Sequence, residues 1–226
     1  MRFDIITIFP DIFDSYLNES LIKRGIKNGI IKVIAHNLRD YSLDRHNKVD
    51  DRPYGGGPGM VMAVEPIYRA VKFLKLKVKS KKLKTRTILF STRGKKLDAK
   101  TAKRLSKYDS LILICGRYEG VDERVAKYIA DEEISIGDYV LNGGELATMV
   151  LMETVSRFLP GFLGKMESLE EIKGSYAVYT RPPNFFPEKF GRARPAEFVP
   201  KKGTKPWRVP KILTSGHHLK IKEFRE

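Results

Sequence analysis

Short apolar runs alternate along this chain with segments whose apolar residues recur every three or four positions. Phe3 to Phe9 reads as a strand, and Asp11 opens a helical stretch. Ser20 caps a second helix reaching Asn28, with Gly29 as its stop. Ile31 to Ala35 is a short apolar run rich in β-branched residues and predicts a strand. Residues 37 to 59 are rich in Asp, Gly and Pro and read as loop. Val64 to Leu74 predicts a helix. Thr87 to Phe90 and Leu111 to Ile114 are apolar strands, with a helix from Asp98 to Leu105 between them. Asp122 to Ile129 predicts a helix, Glu133 to Ile136 a strand, and Glu145 to Phe158 a long amphipathic helix.

Strands alternating with helices predict an α/β fold with a parallel sheet, whose ligands bind beyond the carboxyl ends of the strands. Glycine-bearing loops follow three of the predicted strands. They are Ser91-Thr92-Arg93-Gly94, then Gly116-Arg117-Tyr118-Glu119-Gly120, then Gly137-Asp138-Tyr139 with Asn142-Gly143-Gly144. Three such loops predict one shared small-molecule pocket, although turn-making alone also calls for glycine. Residues 1–160 form the expected core domain. Residues 161–214 read as a basic, Pro-rich linker, and residues 215–226 as a short helical appendage capped by Ser215.

Charge narrows the partner. The chain carries 43 Lys and Arg against 27 Asp and Glu, a formal +16. A chain this basic is expected to meet a polyanion, most commonly nucleic acid; a generic solvated basic surface is the other reading. No acid lies between Glu65 and Asp98, a window dense in lysine. A second basic stretch, Arg181 to Lys222, is interleaved with Phe185, Phe186, Phe190, Phe198 and Trp207. That mix suits phosphate tracking and base stacking, or else a small local core. No apolar run reaches membrane-span length, and Met1-Arg2-Phe3-Asp4 does not read as a signal peptide. Cys115 is the only cysteine, so no internal disulfide forms and a cytoplasmic location is expected. P-loop, dinucleotide-binding and nucleophile-elbow motifs are absent, and the four histidines lack metal-ligand spacing.

Several longer motifs are too specific to arise by chance. They include Asp50-Asp51-Arg52-Pro53-Tyr54-Gly55-Gly56-Gly57-Pro58-Gly59-Met60, Gly116-Arg117-Tyr118-Glu119-Gly120-Val121-Asp122 and Ile134-Ser135-Ile136-Gly137-Asp138-Tyr139-Val140-Leu141-Asn142-Gly143-Gly144-Glu145-Leu146. Ser156-Arg157-Phe158-Leu159-Pro160-Gly161, Tyr179-Thr180-Arg181-Pro182 and Val209-Pro210-Lys211-Ile212-Leu213-Thr214-Ser215-Gly216-His217 follow in order. Together they resemble the bacterial tRNA (guanine-N1)-methyltransferases, over nearly the whole chain. The resemblance implies a SPOUT-type fold, in which a parallel α/β sheet ends in a C-terminal trefoil knot, plus a small, mainly helical C-terminal appendage. It implies S-adenosylmethionine as cofactor, tRNA as partner, and a homodimer whose active site is shared between subunits. The expected reaction is methylation at N1 of the guanosine at position 37, beside the anticodon. A related enzyme acting on another RNA, and a non-catalytic RNA-binding protein of the same fold, are the competing readings.

Carried over by motif, the cofactor would meet Leu89, Phe90, Gly116, Glu119, Ile136, Gly137, Tyr139, Leu141, Gly143 and Gly144. Asp50, Arg52, Pro58 and Gly59 are expected on the guanine side, with Arg181 toward tRNA. Guanine N1 carries a proton at neutral pH and becomes nucleophilic only as that proton leaves. A carboxylate base and a cation beside O6 are therefore required. The resemblance assigns Arg157 to O6; facing the helix dipole from a C-terminus is its alternative role. The base position, Asp in relatives, is held here by Glu167, with Glu170 and Glu171 close by; solvated linker charges are the alternative for all three. In the first glycine loop, Thr92 and Arg93 stand where relatives usually carry Pro and Gln. Methyl transfer itself needs no metal, and no dedicated metal cage is legible; the resemblance leaves room for Mg2+ in handling tRNA or the base.

Overall fold

The computed structural model describes residues 1–79, 82–165, 169, 174–186 and 205–225. Glu167, Glu170 and Glu171, like Phe190 and Phe198, lie outside them. The chain divides into two compact units, Met1–Ser168 and Leu169–Glu226.

The first unit runs β1 (Arg2–Thr7), α1 (Asp14–Leu17), α2 (Ser20–Lys27), β2 (Lys32–Asn37), β3 (Asp50–Asp51), β4 (Val61–Met62) and α3 (Val64–Lys79). It continues through β5 (Thr85–Lys96), α4 (Ala99–Leu105), β6 (Ser110–Ile114), α5 (Glu123–Tyr128), β7 (Glu132–Ser135) and α6 (Glu145–Ser156). Among the described residues, five strands form a sheet in the order β2-β1-β6-β5-β7. Every neighbouring pair is parallel, as the alternation of strands and helices predicts. Helices cover both faces, so the central strand β6 is buried along its whole length. Its side chains alternate between two cores. Leu111 and Leu113 join Phe3, Ile5, Leu151 and Val155 on one face, while Ile112 and Ile114 join Ile6, Ile67 and Leu74 on the other.

Some boundaries differ from the sequence reading. Asp11 lies in a 3-10 turn, Pro10–Phe13, and the α-helical stretch starts only at Asp14. Ser20 is the first helical residue of α2 and makes no cap; Glu19 holds that position, without a side-chain bond. Asp98 and Asp122 cap α4 and α5, accepting from the backbone N–H of Thr101 (2.6 Å) and of Arg124 (2.9 Å). Strand β5 does not end at Phe90. Phe90 and Lys95 both register with Ile134 of β7, so residues 91–94 bulge out of a strand that then resumes. Helix α6 is not amphipathic: Leu146 and Val150, four residues apart, project outward at 55% and 43% exposure.

The second unit contains a two-stranded pairing of β8 (Asn184–Phe185) with β9 (Trp207–Arg208), and helix α7 (His218–Arg225). Phe185 and Trp207 face each other across it with ring centroids 5.5 Å apart, and Trp207 stays 67% exposed. The helix starts three residues after Ser215, whose hydroxyl accepts from the His217 N–H (3.2 Å).

Candidate functional site

The carboxyl ends of β5, β6 and β7 point to one cavity of about 350 Å³. The bulge within β5 forms its rim, residues 116–121 after β6 one wall, and residues 136–144 after β7 the other. Every position that the resemblance assigns to the cofactor lines this cavity. Leu89, Ile136 and Leu141 supply apolar walls, and Glu119 a carboxylate. Across the rim, Arg93 Nη2 lies 2.5 Å from Glu123 Oε2, and both residues line the opening.

The loops fit closely because of glycine. A Cβ on Gly144 would lie 2.7 Å from Cys115 Cα and 3.0 Å from the Gly116 nitrogen, and its own N–H donates to Gly116 O at 2.9 Å. Backbone cannot swing aside, so Gly144→Ala is expected to cost about 1–3 kcal/mol through overpacking. Thermal unfolding would read that cost, and a melting temperature equal to wild type would contradict the close packing. Beneath the wall Cys115 is fully buried, its Sγ 3.1 Å from Thr148 Oγ1. Burial, helped by the charge of Glu145, pushes its thiol far above the usual range.

One network escapes a reading of the sequence. Glu145, 1% exposed, sits in the first turn of α6. Its Oε1 accepts from the Thr7 hydroxyl (2.7 Å) at the end of β1, and its Oε2 from Arg117 Nε (2.9 Å). Arg117 also donates to Asn142 O (3.3 Å) and stacks 4.8 Å from the centroid of the Phe9 ring. The network therefore ties the β6 and β7 loops to the central sheet. Glu145 and Arg117 lie within the quoted motifs, but their pairing across 28 residues leaves no local signal.

The predicted guanine-side residues lie next to this cavity. Strands β3 and β4 pair antiparallel, Asp50 with Met62, making residues 52–60 a hairpin loop. Gly59 has φ +78°, and a Cβ there would meet the Glu119 side chain at 2.5 Å. Only glycine provides both that backbone conformation and that approach. The backbone repeats the contact, since Glu119 N–H donates to Met60 O (3.0 Å) and Met62 N–H to Gly120 O (2.9 Å). Arg52 and Pro58 are exposed on the loop, and Asp50 is half-buried at its base.

Comparison with known proteins settles the family. The model for the tRNA (guanine-1)-methyltransferase TrmD family matches residues 1–226. The chain belongs to this family. It is 44% identical over 230 residues to the tRNA (guanine-N(1)-)-methyltransferase of Geobacter sulfurreducens, covering 100% of this chain and 84% of that protein. Its identity to the enzyme of the same name from Clostridium novyi is 46%, over 100% of this chain and 85% of the relative. The crystal structure of tRNA (m1G37) methyltransferase from Aquifex aeolicus superposes with a TM-score of 0.76 at 38% identity, covering 99% of this chain and 87% of that one.

Not every residue assigned from the TrmD family meets the cavity in its own chain. Arg157 ends α6, whereas the cavity wall is at that helix's start. Thirteen residues separate it from Gly144, roughly 20 Å at 1.5 Å per residue. Among the described residues its guanidinium has no hydrogen-bond or ion-pair partner. Arg181 is exposed in the second unit, ahead of β8. Among the described residues, no cluster of three or more His, Cys, Asp or Glu is arranged to hold a metal ion.

Proposed function

We propose that this chain, as a homodimer, transfers a methyl group to N1 of the guanosine at tRNA position 37. The observation that carries this reading is the convergence of the three glycine loops on one cavity, beside the 52–60 hairpin, in a TrmD-family chain. A cavity of about 350 Å³ with apolar walls, glycine loops and the Glu119 carboxylate in its lining suits S-adenosylmethionine. When bound, that cofactor supplies an electrophilic methyl group on a sulfonium sulfur. Leu89, Ile136 and Leu141 would hold the adenine, backbone groups of Gly116, Gly137, Gly143 and Gly144 would bond its edge and the ribose, and Glu119 would accept from a ribose hydroxyl. Phe90 and Tyr139 complete the walls. The proposal includes the trefoil knot, with the chain after β7 threaded past the β5 bulge.

Asp50, Arg52, Pro58 and Gly59 then hold the guanine against the open side, and Arg181 serves the tRNA. The carboxylate at Glu167 takes the N1 proton, and Arg157 donates to O6 as negative charge builds there. The reacting nitrogen must approach the methyl carbon to about 3–3.5 Å. An arginine one helix length away does not reach the same base, so the Arg157 at each cavity belongs to a second copy. Outward-facing Leu146 and Val150 provide apolar surface for that copy. No helix among the described residues is long and apolar enough to cross a membrane. A tRNA substrate agrees with activity in the cytoplasm.

The test uses labelled S-adenosylmethionine with two tRNA transcripts identical except for G or A at position 37. Label should enter only the G form, and Glu167→Gln should slow it. Label in neither transcript despite measurable cofactor binding would replace this reading with that of a cofactor-binding, non-catalytic RNA-binding protein.

A further inference from the structure

We propose that a groove between α3 and the end of α5, separate from the cofactor cavity, is a second tRNA contact that stacks an unpaired base on tyrosine and holds its flanking phosphates. The groove encloses about 240 Å³. Tyr68, Lys72, Lys75 and Leu76 line it from α3, and Tyr128 and Ile129 from the end of α5. Three of these apolar or aromatic side chains are well exposed: Tyr68 at 49%, Leu76 at 59% and Tyr128 at 71%. Residues at i, i+4 and i+8 on α3 (Tyr68, Lys72, Leu76) form one stripe, beside the buried stripe of Ile67, Val71 and Leu74, whose Val71 lies at the base of the groove.

Charge identifies the occupant. The stripe lies in the acid-free stretch that follows Glu65. Lysines flank both rings: Lys72 Nζ is 5.5 Å from the Tyr68 centroid, and Lys127 Nζ is 5.3 Å from that of Tyr128. Lys75 comes within 3.9 Å of Asp131, the acid closest to it. A cationic groove floored by exposed aromatic rings matches single-stranded nucleic acid, whose bases stack while its backbone meets ammonium groups. Duplex RNA would leave the rings without a role. Location agrees as well. Glu123 and Ala126 of α5 line the cofactor cavity while Tyr128, at the other end of that short helix, lines the groove. Helix α3 also begins two residues after β4, the strand that closes the guanine-side hairpin. An RNA loop with its guanine at the cavity therefore has the groove within reach.

The proposal rests on tRNA being the substrate, and not on which side chains hold the cofactor. The full chain is compared with Tyr128→Ala and Lys72→Ala, two exposed positions where truncation leaves the core intact. Equilibrium binding of a tRNA transcript is measured across a salt series without cofactor, and methyl transfer is measured at saturating tRNA. Tyr128→Ala should weaken tRNA binding about fivefold or more. Lys72→Ala should weaken it and reduce the salt slope by about one. Turnover at saturating tRNA should stay at the wild-type level in both. Wild-type affinity and slope in both variants would overturn the proposal. So would an altered sedimentation state with unchanged tRNA affinity, which would make the groove a protein contact. If the wild type bound tRNA through the groove but methylated neither transcript, the catalytic reading would fail and the groove assignment would stand.

Discussion

Arg157→Ala is expected to lower turnover about 10²- to 10³-fold, the usual cost of removing one donor aimed at developing negative charge. Cofactor affinity should not change, because in the proposed site the side chain meets guanine O6 and not the cofactor. Arg157→Lys should recover only part of the loss, since an ammonium keeps the charge without the planar fork. A purely local role predicts something different. An arginine that only complements the α6 dipole would cost about 0.3–1 kcal/mol of stability and leave turnover alone. Subunit mixing separates the two copies. Arg157→Ala retains its cavity, and Gly144→Ala, whose added methyl pushes on the Gly116 loop and so spoils its own cavity, retains its arginine. If each cavity borrows the arginine of the second copy, co-refolded mixtures should regain one working site per mixed dimer. A mixture no more active than its parents would place Arg157 with its own cavity and remove the main argument for sharing.

The second large effect concerns Glu145. Replacing it by alanine leaves the Arg117 guanidinium without its carboxylate and the Thr7 hydroxyl without its acceptor, in a site where the carboxylate is 1% exposed. Breaking a buried pair from one side costs several kcal/mol; because the Arg117 side chain is 20% exposed, about 2–3 kcal/mol is expected here. Urea unfolding should show the midpoint falling with the slope unchanged. Cofactor affinity should fall as well, since the β6 and β7 loops lose their common anchor. Glu145→Gln keeps one acceptor oxygen, which can face Arg117 while the amide NH2 donates to the Thr7 hydroxyl, and should lose about 1 kcal/mol. If alanine and glutamine cost the same, the charge of Glu145 contributes nothing and the network is only a space-filling contact.

These two residues also show what can be read from the sequence. The strands are legible because four or five apolar residues in a row, such as Leu111 to Ile114, suit a sheet covered on both faces. The cavity is legible because its walls are glycine loops placed directly after those strands. The length of β5 is not, since Lys95 and Lys96 extend the strand only by pairing with β7 after a bulge that no local pattern marks. Helix α3 outruns its prediction, from Leu74 to Lys79, because the core-facing apolar residues stop while lysines, good helix formers, carry on in solvent. The reading of α6 as amphipathic failed at Leu146 and Val150, apolar residues that project outward. The Glu145 carboxylate meets Thr7 across 138 residues, a separation at which single-sequence patterns carry no information.

The placement of Cys115 has a practical result. The chain's only thiol is sealed under the cavity wall, bonded to Thr148 and held in its protonated form by burial and the nearby Glu145 charge. Thiolate is the species that peroxide, disulfides and maleimides attack. The folded chain therefore presents a chemically silent background. A single cysteine installed on the exposed surface, at Tyr128 for instance, is the one handle for a fluorophore or a cross-linker, with no need to remove a native thiol first.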